Sequence, residues 1–278
     1  MGENSKIKIQ KSKLYTRFQL AKKYLHYYLT ASNGKGHGIH SPFVFDFIKN
    51  VLRDKKQYAC YHIIETGRQK LLKQSAEIEV TDFGAGSAVI KTKKRVVADI
   101  AASSLKSPKY ARLLFRIVNY YQPQNILELG TSFGITTSYL AAGNASAKVY
   151  TIEGSESIAY IAMKTFEKTG YKNIQIKTGD FKDILPGILE DVKKVDLAFI
   201  DGNHLKEPTL DYFYKFLNYS TSTTIIIFDD IHWSAEMEEA WAVIQQHPAV
   251  TLSIDLFFIG IIFFNADINH KQHFTIRF

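Results

Sequence analysis

Five acidic positions in this chain share one context: each stands at or just after the end of a short apolar run. Asn125-Ile-Leu-Glu-Leu129 carries Glu128 and breaks at Gly130. Lys148-Val-Tyr-Thr-Ile-Glu153 ends on an acid, the run at 174–178 leads into Gly179-Asp180, Val195-Asp-Leu-Ala-Phe-Ile200 leads into Asp201, and Thr223-Thr-Ile-Ile-Ile-Phe228 leads into Asp229-Asp230. Asn203, His204 and His232 follow in the last two loops. Surface acids scattered by chance would not favour these places, so together they mark a site. The first run is followed by Gly130-Thr-Ser-Phe-Gly134. A turn of this kind lets backbone approach a ligand closely and aims the N–H groups of the next helix at it. A dinucleotide cradle would read Gly-x-Gly-x-x-Gly. Here the middle glycine is missing and an acid precedes the turn, which disfavours phosphate and suits a cationic cofactor.

The elements that must hold these residues are legible from periodicity. Strands are expected at 125–129, 148–153, 174–178, 195–200 and 223–228, with helices near 134–143, 155–169, 181–190, 206–218 and 234–246. Apolar strands alternating with helices predict a parallel sheet covered on both faces. In such sheets ligands bind at the carboxyl ends of the strands, near the point where the strand order reverses. Residues 251–257 and 261–264, around Gly260, predict two antiparallel strands, and 273–278 a further one.

On Glu128-Leu-Gly-Thr-Ser-Phe-Gly134, Glu153, Gly179-Asp180 and the terminal hairpin, the chain resembles the class I S-adenosylmethionine-dependent methyltransferases over roughly residues 121–265. The resemblance implies an α/β fold: a Rossmann-like, seven-stranded, mostly parallel sheet with helices on both faces and a C-terminal antiparallel hairpin. It also implies S-adenosylmethionine as cofactor, seated by Glu128, Gly130, Thr131, Ser132, Gly134, Glu153, Gly179, Asp180 and Asp201. Glu153 would take the ribose and Gly179-Asp180 the adenine side. Phe199-Ile-Asp-Gly-Asn-His204 and Phe228-Asp-Asp-Ile-His232 are similar to the O-methyltransferases of the catechol type and of the sugar and antibiotic branch. There the matching acids hold a divalent ion, usually magnesium (Mg2+). The resemblance therefore implies Asp201, Asp229 and Asp230 as metal ligands and His204 as the base that takes a proton from a coordinated hydroxyl. The alternative is a metal-free version in which Asp201 and Asp229 only position substrate and cofactor. His232 and Trp233 are candidate substrate contacts. The expected acceptor is a hydroxylated small molecule or a sugar-like compound. No Asn/Asp-Pro-Pro-Tyr run follows the fourth strand, which argues against the amino-methyltransferases of nucleobases and glutamine.

The remainder of the chain differs in charge. Residues 1–120 hold 23 Lys+Arg against 8 Asp+Glu, and residues 121–278 hold 12 against 19. Two units are expected: a basic, mainly helical substrate-side cap over 1–120 and the cofactor-binding domain over 121–278. From Lys11 the apolar positions Leu14, Phe18, Ala21, Leu25 and Tyr28 predict a basic amphipathic helix packed on the domain. Ser41-Pro42 and Ser107-Pro108 are expected to cap two further helices, the second with Tyr110, Leu113, Leu114, Ile117 and Val118 inward. The glycine-rich Asp82–Ser87 and the basic Lys91–Arg95 run read as a lid-like loop able to hold an acidic group. The basic half also raises two alternatives: an RNA-binding or RNA-modifying enzyme, with Tyr24, Tyr27 and Tyr28 available for stacking, and a membrane-surface enzyme acting on lipid-linked substrates. One cysteine, Cys60, excludes an internal disulfide framework and fits a reducing compartment. A cytoplasmic location is expected, and the sequence is compatible with a homodimer.

Overall fold

The computed structural model describes residues 14–32, Gly34, 40–82 and 91–278. The predicted start of the first helix at Lys11 and the glycine-rich residues 83–87 lie outside them. The N-terminal part contains α1 (Arg17–Thr30), α2 (Pro42–Phe47), a π-helical turn (Ile48–Leu52), α3 (Ala59–Leu71), the strands β1 (Glu77–Asp82) and β2 (Lys91–Val96), α4 (Val97–Ser104) and α5 (Pro108–Tyr121). Then come β3 (Asn125–Leu129), α6 (Ile135–Gly143), β4 (Lys148–Glu153), α7 (Glu156–Thr169), β5 (Ile174–Thr178), α8 (Phe181–Val192), β6 (Leu197–Ile200), α9 (Lys206–Leu217), β7 (Ile225–Asp229) and α10 (Ala235–Gln246). Three strands close the chain: β8 (Leu252–Asp255), β9 (Ile259–Phe263) and β10 (Gln272–Thr275). No helix among the described residues is long and apolar enough to cross a membrane.

The main sheet has eight strands in the order β10-β8-β9-β7-β6-β3-β4-β5. Strands β5, β4, β3, β6 and β7 run parallel, β9 is antiparallel to both β7 and β8, and β10 adds a parallel edge beside β8. The sheet is thus the expected seven strands and one more. The chain leaves β3 toward β4 and β5, then returns to β3's other side as β6. The switch point therefore lies between β3 and β6.

Period-two alternation divides the sheet's side chains between two cores. Ile126, Val149, Leu197, Phe199, Ile225, Ile227, Ile261 and Phe263 pack with Val44, Phe47, Ile48 and Val51 and with Leu113, Leu114, Ile117 and Val118 of α5. Leu127, Leu129, Ile152, Ala198, Ile200, Ile226, Phe228 and Ile262 face α8, α9 and α10. The helices α2 and α5 from the first 120 residues thus cover one face of the sheet directly. Pro108 opens α5, which ends at Gln122 in the left-handed conformation (φ 52°) just before Pro123. Neither Ser41 nor Ser107 makes the expected side-chain cap bond; proline at the first helical position serves both helices instead.

Two N-terminal expectations change. The stripe Leu14, Phe18, Leu25 and Tyr28 faces outward, with Phe18 80% exposed. Helix α1 packs through Leu20, Tyr24, Tyr27 and Ala31, because Tyr24 and Tyr27 meet the rings of Phe257 and Phe258. Tyr27 also donates its hydroxyl to the Ile276 carbonyl, so two of the three tyrosines proposed for RNA stacking are spent on packing. The Lys91–Arg95 run is a strand rather than a loop. It pairs antiparallel with β1, setting Lys94 opposite Glu79 and Lys93 opposite Val80. Cross-strand charge pairing and the inward Val80 make a hairpin from residues too polar to signal one alone.

Candidate active site

A cleft of about 1170 Å³ opens over the carboxyl ends of β3, β4, β6 and β7. Gly130, Ser132, Glu153, Gly179, Asp180, Asp201, His204, Asp229, Asp230 and Trp233 all line it, as the sequence placed them. Glu128, Thr131, Gly134 and His232 do not.

The β3–α6 turn shows why glycine is required at its start. Gly130 has φ +101°, and a Cβ there would come within 2.0 Å of the Asp201 carbonyl oxygen. The two strand ends at the switch point touch through backbone alone. Ser132, also left-handed at φ 48°, donates its N–H to Glu153 Oε2 at 2.9 Å, and Ser155 N–H meets Oε1 at 3.0 Å. Burial pushes the Glu153 carboxyl up from its ordinary value, while those N–H groups pull it down. The result is an oriented carboxylate on the cleft wall. Asp180 is partly committed to structure, since it caps α8 by accepting the Lys182 N–H at 3.0 Å.

Glu128 plays a different part from the one its sequence position suggested. It lies beneath the turn, fully buried, and accepts the Thr137 and Thr151 hydroxyls at 2.5 and 2.7 Å. Thr131 in turn bonds Thr151 at 2.6 Å. Burial raises the Glu128 carboxyl to about 8, so it is mainly neutral at pH 7. Hydrogen-bonded to Thr137 and Thr151 beneath the turn, Glu128 braces it from below.

At the other end of the cleft, Asp201, His204 and Asp229 converge, with one ligand atom from each within 4.8 Å of the others. His204 Nε2 stands 3.6 Å from Asp201 Oδ1. Asn203, His204 and Asp230 all have positive φ (64°, 23° and 53°), an arrangement that costs backbone energy and collects at functional loops. Asp230 is not in the convergent donor set among the described residues. His232 is turned away, bonded to Glu238 and Asp255 at 2.8 Å each, in a network that reaches Lys23 and Tyr15 near α1. It ties α1 to the sheet, and Trp233 alone of that pair reaches the cleft.

Sequence reasoning missed Lys106. From the link between α4 and α5 its ammonium bonds Asp229 Oδ2 and lies 3.7 Å from Asp201 Oδ2. Burial opposes its charge, but Asp201, Asp229 and Asp230 outweigh that and hold it well above the ordinary lysine value. A resident Mg2+ requires near-octahedral oxygens at about 2.0–2.1 Å. Lys106 already engages one oxygen of Asp229, an expected ligand, so the ammonium and a dication would compete for that carboxylate. Lys93 and Arg95 of β2 and Tyr212 of α9 complete the wall and were not singled out either.

A family model described as a methyltransferase domain matches residues 127–231, from inside β3 to just past β7. That match covers less than half of the chain, and over this segment the chain is similar to a methyltransferase domain. A catechol O-methyltransferase of Niastella koreensis is 34% identical over 128 residues, which is 45% of this chain and 57% of that relative. The chain therefore spans little more than half of that relative's length. An O-methyltransferase from Bacillus cereus, solved in complex with S-adenosylhomocysteine (SAH), shares the fold with a TM-score of 0.53 at 22% identity, over 80% of this chain and 97% of that one. TomG from Streptomyces achromogenes, solved with S-adenosylmethionine, gives 0.51 at 20% identity over 59% and 82% of the two chains. The Gly130 turn, Glu153 and Asp201 lie within the matched segment, whereas Lys106 lies outside it.

Proposed function

We propose that this chain is an S-adenosylmethionine-dependent O-methyltransferase acting on a hydroxylated small molecule. The observation that carries the reading is one continuous cleft, with the Gly130 turn and Glu153 at one end and the Asp201–His204–Asp229–Lys106 cluster at the other. Bound there, S-adenosylmethionine would supply a methyl group on a positive sulfur, which would keep the C–S electron pair as an acceptor oxygen took the methyl. Glu153, oriented by two N–H groups, is positioned to accept ribose hydroxyls. The open backbone of Gly130 to Ser132 admits the amino-acid portion, and Gly179 with Asp180 flanks the base. Asp201 stands beside Gly130 and so between donor and acceptor. His204 is placed to take the acceptor proton, with the Asp201 carboxylate 3.6 Å from its Nε2. Aligning two bound partners supplies most of the rate enhancement such a transfer needs.

The test is calorimetric binding of SAH, followed by transfer of labelled methyl from S-adenosylmethionine to a panel of catechols, phenols and sugars. Absence of SAH binding removes the reading. Binding without transfer to any hydroxyl compound removes its acceptor half.

One observation favours a second reading of where the enzyme works. The outward face of α1 exposes Phe18, Leu25 and Leu29 at 80%, 58% and 69% beside Arg17 and Lys22, which suits an anionic membrane surface. Co-sedimentation of the full chain with anionic but not neutral liposomes, lost in Phe18→Glu, would support it; equal binding to both would not.

A further inference from the structure

We propose that the Lys106 ammonium is the resident cation of the acceptor site, standing where metal-assisted transfer would place a divalent ion and holding the acceptor oxygen electrostatically. The inference rests on reading the cleft as a methyl-transfer site, and it assigns a role to a residue outside the matched segment.

Four observations carry it. First, the position is central: Nζ bonds Asp229 Oδ2 and lies 3.7 Å from Asp201 Oδ2, the two carboxylates that converge with His204. Second, the pair is not a solvated surface contact. The side chains of Lys106 and Asp229 are 14% and 1% exposed, and a buried carboxylate without a countercharge is strongly unfavourable. Third, the segment is anchored on both sides. Ser104 Oγ bonds Ser132 Oγ at 2.9 Å, fixing the end of α4 on the cofactor turn. Immediately after Lys106, α5 begins at Pro108 and buries Tyr110, Leu113 and Leu114. Fourth, the ammonium is not sealed in. Lys106 lines the cleft, and it has three N–H donors of which Asp229 takes one.

These facts define a chemistry. A dication seated on Asp229 would meet a fixed ammonium at contact distance, so the pair excludes it. The same ammonium stabilises the oxyanion that forms as the acceptor hydroxyl gives its proton to His204. The new C–O bond then forms as the C–S bond breaks, and no metal takes part. Asp229 acts through Lys106 and is a positioning residue.

The test is Mn2+ binding to the full chain by electron paramagnetic resonance, with SAH binding measured by calorimetry on the same samples. Wild type should leave Mn2+ free, while Lys106→Met should bind it at least roughly tenfold more tightly once the competing charge is gone. Adding Asp229→Asn should remove that site again. Lys106→Arg, which keeps the cation, should resemble wild type. Tight Mn2+ binding by wild type that Asp229→Asn abolishes overturns the proposal. So does a Lys106→Met chain that binds SAH normally and takes up no Mn2+. Should Lys106→Met not fold, wild-type turnover decides: insensitivity to EDTA supports the proposal, and loss restored by Mg2+ overturns it. Failure of wild type to bind SAH sinks the methyl-transfer reading instead, and leaves the Mn2+ result to stand for itself.

Discussion

The two ends of the cleft are built by opposite strategies. The proposed cofactor end comes from one stretch of chain, β3 through the start of α8, and relies on backbone: the left-handed Gly130 and Ser132, the Ser132 and Ser155 N–H groups on Glu153, and the hydroxyl-bonded Glu128 beneath. The proposed acceptor end relies on charge. Its central contact joins Lys106 to Asp229 across 123 positions, and its wall draws on β2, the α4–α5 link, α9 and the loops after β6 and β7. A pocket made of backbone is demanded by short sequence signatures, because only certain residues can adopt its conformation. A pocket made of charge pairs can recruit a partner from anywhere, and leaves no local signature.

The contrast is sharpest at Gly130. Gly130→Ala should be the most damaging single change: its Cβ would run into the Asp201 carbonyl, and the left-handed backbone adds strain. A stability loss of roughly 3 kcal/mol or more and disappearance of SAH binding are expected, read by thermal unfolding and calorimetry. Retained SAH binding would show that the two strand ends can part. Asp201→Asn should act on the other side of the divide. Turnover is expected to fall roughly 100- to 1,000-fold while SAH affinity stays within about threefold. A parallel collapse of SAH binding would instead make Asp201 a cofactor residue. Glu153→Gln should weaken SAH about tenfold or more by replacing two charge-assisted ribose contacts with neutral ones. An unchanged dissociation constant would remove Glu153 from the ribose role.

The smallest effect is expected at Glu128 and depends on pH. Its folded value, about 8, lies above the ordinary 4.5, so the folded chain holds the proton more tightly than the unfolded one. The stability this contributes is complete below about pH 4.5 and is lost as pH rises to about 8. Glu128→Gln cannot ionise and escapes that loss. Its melting temperature relative to wild type should rise between pH 5 and pH 8, whereas a constant difference would mean that Glu128 is ionised throughout.

Legibility followed the same division. The five parallel strands, their helices and the Gly130 turn could be read because period-two and helical patterns are local, and the cores confirm them strand by strand. Helix α1 was misread in orientation: its most apolar stripe is solvent-facing because two tyrosines on the opposite side find Phe257 and Phe258, more than 200 positions away. His232 carried a polar ring in a site loop, but Asp255 and Glu238, invisible as neighbours in sequence, claim both of its nitrogens. Glu128 could be seen as special in the sequence, but that it lies wholly buried beneath the turn, with its carboxyl pushed up to about 8 by burial, could not. Lys106 was one lysine among 23 cationic residues in the first 120, and nothing in its surroundings set it apart.

The contact between Gly130 and the Asp201 carbonyl bears on how acceptor preference can change. Because backbone sets the spacing of β3 and β6 there, side-chain substitutions cannot alter how closely the two strand ends approach. The far wall, with Arg95, Tyr212 and Trp233, is made of side chains. On the proposed reading, point mutations in that wall would trade one acceptor for another while the approach of β3 to β6 stays fixed.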